Sequence, residues 1–241
     1  MILVMKKILF VLSILMALFI CNGCSSDDEP QNNPVNITLS KTEVSIPVND
    51  EVNIEVSGVN INECTILSDN EFIAKAMIYD GKINIEAEHI GETLITVQYK
   101  DTKLECKVHV TSLINFIGNP ILDFGDSKAN IKAKLKGEII NETEKRIEIK
   151  EDFKHPIYDT YHFNNGVLEC VYSGVNIKTS TVNILNSLLE RYKHVSSESN
   201  VHWFSYPNKF IIRENVRGGN GGYAIRYAKD KETMAKYYDI N

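Results

Sequence analysis

The chain has few residues of the kinds that most often mark a covalent framework or a reactive centre. It contains one tryptophan, five cysteines and six prolines among 241 residues. No cysteine and histidine spacing supports a zinc site, and no Gly-x-Ser-x-Gly nucleophile motif occurs. The sequence therefore predicts no metal and no cofactor, and it offers no catalytic motif.

The chain also lacks an excess of positive charge. It has 26 Lys and Arg against 32 Asp and Glu, a net charge of -6. A site that tracks a phosphate backbone needs clustered cations to displace counterions, and no such run is present. We therefore exclude nucleic acid as a partner. The apolar content of 43% is sufficient for a buried core.

Only one long apolar run occurs, and it lies at the amino terminus. Ile8 to Ile20 is almost wholly apolar and follows the positive pair Lys6-Lys7. The run is shorter than the roughly 20 residues that span a bilayer, but it has the length of a signal-peptide core. We predict that residues 1–23 are an export leader.

The end of this leader resembles a bacterial lipobox. Gly23 places a small residue directly before Cys24, whereas Cys21 follows the bulky Ile20, so Cys24 is the predicted lipidation site. The acidic run that follows resembles the export tag of Bacteroidota-type surface lipoproteins; an ordinary solvated linker is the alternative reading. The resemblance implies a lipid anchor in the outer membrane, facing the cell surface or, alternatively, the periplasm. Residues 24–35 are polar and predict a flexible tether.

Residues 36–111 predict an all-β domain. Short segments alternate between apolar and polar residues, as in Val44, Ile46 and Val48, and Asn49-Asp50 supplies a turn. About seven such strands in 75 residues are typical of a small Greek-key sandwich.

This stretch resembles the bacterial immunoglobulin-like domain of intimin and invasin-type proteins. The resemblance lies in ITLSKTEVSIPVNDEVNIEV, SDNEFIAKA, HIGETLITVQYKD and CKVHV. It implies an immunoglobulin-like sandwich that acts as a spacer or adhesion module and carries no catalytic residues.

Two cysteines of this domain have the parity of core residues. Cys64 shares a face with Ile66, and Cys106 with Val108. An oxidising envelope permits a Cys64–Cys106 disulfide, but two buried free thiols are equally compatible with the pattern.

Residues 112–241 predict an α+β domain. Asp126-Ser127 can cap a helix that ends before Gly137, and a second apolar stripe at helical spacing runs from Val182 to Val195. Three strands follow each helix, and Asn165-Gly166 predicts a tight hairpin between two of them. A short helix with Met234 and Tyr237 facing inward ends the chain. We predict a tandem α-β-β-β arrangement with the helices on one face of an antiparallel sheet.

Aromatic residues supply the only indication of binding in this second domain. Trp203, Tyr206 and Tyr161 lie on predicted strands and, if exposed, would suit sugar rings or a protein hot spot. Strand alternation places Trp203 opposite Phe204 and Tyr206, so one set belongs to the core. The simpler interpretation of Trp203 is burial.

Histidines give a weaker signal. Glu190 and His194 lie four residues apart on the predicted second helix, with His202 downstream. The spacing is compatible with metal ligands, but no third ligand is fixed by the helix, so we interpret the group as a solvated helix end.

The sequence predicts a lipid-anchored envelope protein whose immunoglobulin-like spacer presents a recognition module for adhesion or for a glycan or protein ligand. One alternative is a surface hydrolase with its site in the second domain, since a carboxylate pair can be far apart in sequence. The other is an accessory subunit of an outer-membrane assembly that binds through a sheet edge or groove.

Overall fold

The computed structural model describes seven stretches of the chain. They are residues 36–114, 116–150, 157–175, 181–198, 201–207, 210–216 and 223–237. The predicted leader, the predicted lipidation site Cys24 and the predicted tether lie outside them.

The first lobe, residues 36–111, is built from strands and one turn of 3-10 helix at Ile61–Glu63. A four-stranded sheet in the order β2-β9-β8-β5 faces a three-stranded sheet in the order β3-β7-β6, and β1 pairs with β4. The strands are β1 (Thr38–Leu39), β2 (Glu43–Pro47), β3 (Glu51–Ile54), β4 (Val56–Ser57), β5 (Thr65–Ser68), β6 (Ala74–Tyr79), β7 (Lys82–Ala87), β8 (Gly91–Tyr99) and β9 (Thr102–Thr111).

Alternating side chains of both sheets form the core of this lobe. In β2, Val44 and Ile46 are buried and their neighbours Glu43 and Ser45 are exposed. The predicted turn after β2 is confirmed, because Asn49 has a φ of 63° and Asp50 N–H donates to the Pro47 carbonyl. A mainly β, sandwich-like fold is thus shown here. β2 and β9 are parallel, whereas the other strand pairs of these two sheets are antiparallel.

The second lobe, residues 116–237, contains one eight-stranded antiparallel sheet in the order β10-β11-β12-β13-β17-β16-β15-β14. Two successive units of one helix and four strands meet at their last strands, β13 and β17. The elements are α1 (Lys128–Lys134), β10 (Glu138–Thr143), β11 (Arg146–Lys150), β12 (Ile157–Asn164), β13 (Val167–Val175), α2 (Thr181–Leu189), β14 (Lys193–Glu198), β15 (Val201–Tyr206), β16 (Phe210–Val216), β17 (Tyr223–Ala228) and α3 (Lys231–Lys236).

Each unit has four strands where the sequence predicted three. The two missed strands are the sheet edges. Every described side chain of β14 is exposed, so no apolar alternation marks it as a strand. The apolar helical spacing also continues through Tyr192 to Val195, although α2 ends at Leu189.

Helices lie on both faces of this sheet, the two helices of the tandem units on one and the terminal helix on the other. Ile131 of α1 and Ile184 and Leu188 of α2 join the main core on the inner face. α3 packs on the outer face, where Tyr237 contacts the ring of His162. The predicted burial of Met234 and Tyr237 is confirmed.

Two predictions from local sequence motifs, a helix cap and a hairpin turn, are confirmed in this lobe. Ser127 Oγ accepts a hydrogen bond from Asn130 N–H and so caps α1. Asn165 and Gly166 both have positive φ, 51° and 77°, as the predicted hairpin turn requires.

Candidate functional site

A buried glutamate joins the two lobes through its backbone carbonyl and holds the linker through its carboxylate. Glu190, directly after α2, is 6% exposed. Its Oε1 accepts a hydrogen bond from Leu113 N–H at 3.2 Å. Its Oε2 accepts from the Ser112 hydroxyl at 2.5 Å and from Ile114 N–H at 3.3 Å. Its carbonyl accepts from Ile90 N–H of the first lobe at 2.9 Å. One residue therefore holds both the linker after β9 and the first lobe.

The next residue, Arg191, is 5% exposed and holds the linker further along. Its Nη1 donates to the Ser187 carbonyl at 2.9 Å, Nη2 to the Ile117 carbonyl at 3.3 Å and Nε to Asn119 Oδ1 at 3.4 Å. Burial lowers the pKa of Arg191, while Tyr192, Tyr227 and Glu190 act in the opposite direction. The guanidinium is thus positioned rigidly by oxygen atoms of the second lobe and the linker.

Three rings contact one another in series across the junction beside these residues. His89 lies flat on Phe72, with ring centroids 3.9 Å apart and an interplanar angle of 10°. Phe72 in turn contacts Tyr206 of β15 at 4.6 Å. The Tyr206 hydroxyl accepts a hydrogen bond from Asn70 Nδ2 at 3.2 Å. The Tyr206 ring is therefore fixed in one orientation by the first lobe.

A cleft of about 420 Å³ opens at this junction, within the range of small-molecule sites. Clefts between lobes are a common location for such sites. We call it the junction cleft. Its lining includes buried Arg191 and Tyr192 and partly exposed Tyr206. It is lined by Ile90, Gly91, Val110, Ser112, Asn119, Pro120, Arg191, Tyr192 and Tyr206.

The structure separates the three predicted binding residues. Tyr206 lines the junction cleft. Trp203 is partly exposed on the outer face of β15, with Lys231 Nζ 6.0 Å from its ring centroid. Tyr161 is 1% exposed in the core, and its hydroxyl accepts a hydrogen bond from Ile121 N–H. The three therefore do not form one platform, and Tyr161 is not at a surface.

Sequence reasoning missed most of the cleft. Arg191, Ser112 and Asn119 come together only because the linker folds against the end of α2. The one local signal was Tyr192, which extends the apolar stripe of α2 past two charged residues. The sequence interpretation of Glu190 as part of a solvated helix end is wrong, because Glu190 is 6% exposed and accepts hydrogen bonds from the linker.

The three cysteines within the described residues offer no reactive centre. Cys64, Cys106 and Cys170 are free and buried in the structure. Burial raises the pKa of the Cys64 and Cys106 thiols, and it raises that of Cys170 to about 12. These thiols stay protonated near neutral pH and react slowly.

Two features are absent from the described residues. No cluster of three or more His, Cys, Asp or Glu side chains in this part of the chain is arranged to hold a metal ion. No helix within the same residues is long and apolar enough to cross a membrane.

Comparison with known proteins gives little further guidance. No protein-family model matches the chain, and no curated protein matches it. Domains 5–6 of the S-layer protein SbsC are similar at 11% identity and a TM-score of 0.29, over 81% of this chain and 83% of that one. A structure of SbsC domains 1–6 is similar at 13% identity and a TM-score of 0.30, over 79% of this chain and 21% of that one. Similarity at this level carries no argument about fold or function.

Proposed function

We propose that the chain is a lipid-anchored recognition protein of the bacterial cell envelope, displayed at the cell surface, that binds a sugar unit of a glycan in the junction cleft. The observation that carries the proposal is the position of Tyr206. It is partly exposed and lines a cleft that buried Arg191 also lines.

The chemistry of the cleft suits a sugar. A sugar ring presents a C–H face that packs on an aromatic ring and hydroxyls that need polar partners. Tyr206 offers the ring, and its contacts with Phe72 and Asn70 fix that ring before a ligand arrives. Little side-chain freedom is then lost on binding, which favours affinity.

The first lobe has two parts in this proposal. Its resemblance to bacterial immunoglobulin-like domains supports a role as a spacer. It also contributes Ile90, Gly91 and Val110 to one wall of the cleft. Gly91 has a φ of 146°, and a Cβ there would lie 2.8 Å from the Ile73 side chain, so this wall depends on glycine.

The binding test is a glycan array probed with residues 36–241, which form one compact unit. We expect a sugar class whose signal is lost in Tyr206→Ala and largely kept in Tyr206→Phe, because phenylalanine keeps the ring. Trp203→Ala is the matched control, since Trp203 lies on the opposite face of the same strand. The control should bind as the unaltered protein does.

Two outcomes of the array would overturn the proposal. An array without signal for any sugar would refute the proposal that the ligand is a glycan. Loss of binding in Trp203→Ala alone would move the site from the junction cleft to the outer face of the sheet.

The anchor has a separate test. The lipobox-like segment supports acylation of Cys24, and several acyl chains on one residue give durable attachment where one chain holds marginally. Mass spectrometry of the native protein should find an acylated Cys24 at a mature amino terminus. An unmodified chain that keeps residues 1–23 would refute the anchor.

A further inference from the structure

The edge hairpin formed by β14 and β15 contains a bulge that rearranges its side chains. His194 pairs with Phe204, and the next register pair is Ser196 with Trp203, so Val195 is an extra residue. In a regular strand, residues 194 and 197 would point to opposite faces because side chains alternate. Because Val195 is an extra residue, the alternation shifts by one, and the side chains of His194 and Ser197 lie on the same face.

The bulge thereby gathers two imidazoles around one hydroxyl. His194 Nε2 lies 2.8 Å from Ser197 Oγ, and His202 Nδ1 lies 2.8 Å from the same oxygen. The two imidazole centroids are 6.3 Å apart. His194 also packs edge-on against Phe204 at 5.4 Å, which limits the motion of its ring.

The surroundings leave the group open to solvent. His194, Val195, Ser197 and the rest of β14 are exposed, and His202 is partly exposed. The strand carries one cation and one anion at its ends, Lys193 and Glu198. These two charges of β14 are opposite in sign, and Glu214 of β16 pairs in register with His202.

We propose that His194 and His202 form a two-imidazole site for a divalent late transition-metal ion, zinc being the simplest probe. Imidazole nitrogens are preferred ligands of Zn²⁺, Cu²⁺ and Ni²⁺. Two nitrogens converge here on one small region that Ser197 Oγ occupies, and rotation of that side chain frees the region. Two protein ligands leave coordination positions for water or for a donor from outside the chain.

This site is independent of the junction cleft. It lies at the β14 edge of the sheet and does not involve Tyr206 or Arg191. A negative result for zinc binding would leave the glycan proposal unchanged, and a negative glycan array would leave the zinc proposal unchanged.

The test is calorimetric titration of residues 36–241, without a histidine tag, with Zn²⁺. We expect one ion per chain and at least tenfold weaker binding in His194→Ala and in His202→Ala. Binding should also weaken at low pH, because protons compete for the imidazole nitrogens. His109→Ala is the matched control: His109 is a solvent-accessible histidine of the first lobe between Glu43 and Glu92. It should not change the affinity.

Deletion of Val195 tests the role of the bulge. It keeps both histidines and leaves His194 and Ser197 two positions apart in a regular strand, where alternation still places them on one face, so we expect zinc binding to be retained. Because that variant can misfold, NMR of the unaltered protein supplies a second readout, in which Zn²⁺ should shift the ring signals of His194 and His202 first. Absence of zinc binding, or equal binding in all three alanine variants, would overturn the proposal.

Discussion

At the scale of single residues, burial decides what the cysteines can do. Cys106 pairs in register with Ile95 inside the first lobe, and Cys170 lies beneath α3 in the second. Their parity along the strands could be read from the sequence, because alternation assigns a face to every residue. The sequence could not show whether Cys64 and Cys106 are bridged, because parity along a strand says nothing about the distance between two sulfur atoms.

Thiol titration checks the free state of these cysteines. Residues 36–241 contain three cysteines. We expect no fast reaction of the folded protein with a disulfide reagent and three reactive thiols after unfolding in denaturant. A count of one after unfolding would mean that Cys64 and Cys106 are bridged.

The aromatic residues show the limit of reasoning from single positions. Alternation correctly placed Trp203 and Phe204 on opposite faces, and Phe204 is 1% exposed. Tyr206 shares the face of Phe204 but lies at the strand end, where the core gives way to the first lobe. Its role depends on Phe72 and Asn70, more than 130 residues earlier.

At the scale of elements, α3 is held by a carboxylate of β13. Glu169 Oε2 accepts hydrogen bonds from Lys236 Nζ and from the Tyr237 hydroxyl, each at 2.8 Å, and Oε1 accepts one from Asn164 at 3.1 Å. Burial raises the pKa of Glu169, but these three hydrogen bonds outweigh it and lower the pKa to about 2.

The lowered pKa of Glu169 predicts a pH dependence of stability. The ionised carboxylate stabilises the fold fully above its usual pKa of 4.5, and this contribution is lost as pH falls from there toward 2. We expect Glu169→Gln to reduce the free energy of unfolding by about 1.5–3 kcal/mol at pH 7. Urea unfolding should show a smaller difference in the free energy of unfolding between Glu169→Gln and the unaltered protein at pH 3 than at pH 7.

A control separates this effect from general charge loss. Glu105 pairs with Lys103 on the surface, with a side chain 47% exposed. Glu105→Gln should change stability by at most about 1 kcal/mol. A Glu169→Gln effect that does not vary with pH would contradict the assignment.

The strands were predictable to very different degrees. Those of the first lobe have one buried and one exposed face, so their sequences alternate. The edge strands β10 and β14 carry almost no buried side chains, so nothing in the sequence distinguishes them from loops. The bulge at Val195 was hidden for the same reason, and with it the meeting of His194 and His202.

At the scale of the whole molecule, Glu190 fixes the two lobes together. Its carboxylate accepts two backbone N–H groups and one hydroxyl of the linker. Removing it takes this acceptor away from the Ser112 hydroxyl and the Leu113 N–H, whose partly buried hydrogen bonds contribute about 0.5–1.5 kcal/mol each.

We therefore expect Glu190→Ala to loosen the lobes and destabilise the protein. Hydrogen exchange at the Leu113 and Ile114 amides should accelerate, and small-angle X-ray scattering should show a larger radius of gyration. Glu63→Ala, at an exposed position in the first lobe, is the control and should leave both unchanged. Unaltered exchange at both amides in Glu190→Ala would show that the carboxylate does not hold the linker.

The parallel pairing of β2 with β9 has a mechanical consequence. Five register pairs, from Glu43 with Lys107 to Pro47 with Thr111, join the first long strand of the lobe to the strand that leads into the linker. A force that pulls the chain start away from the second lobe drags these two strands past each other lengthwise. All five pairs must then yield together instead of peeling apart singly, so the lobe would resist tension better than its small size suggests.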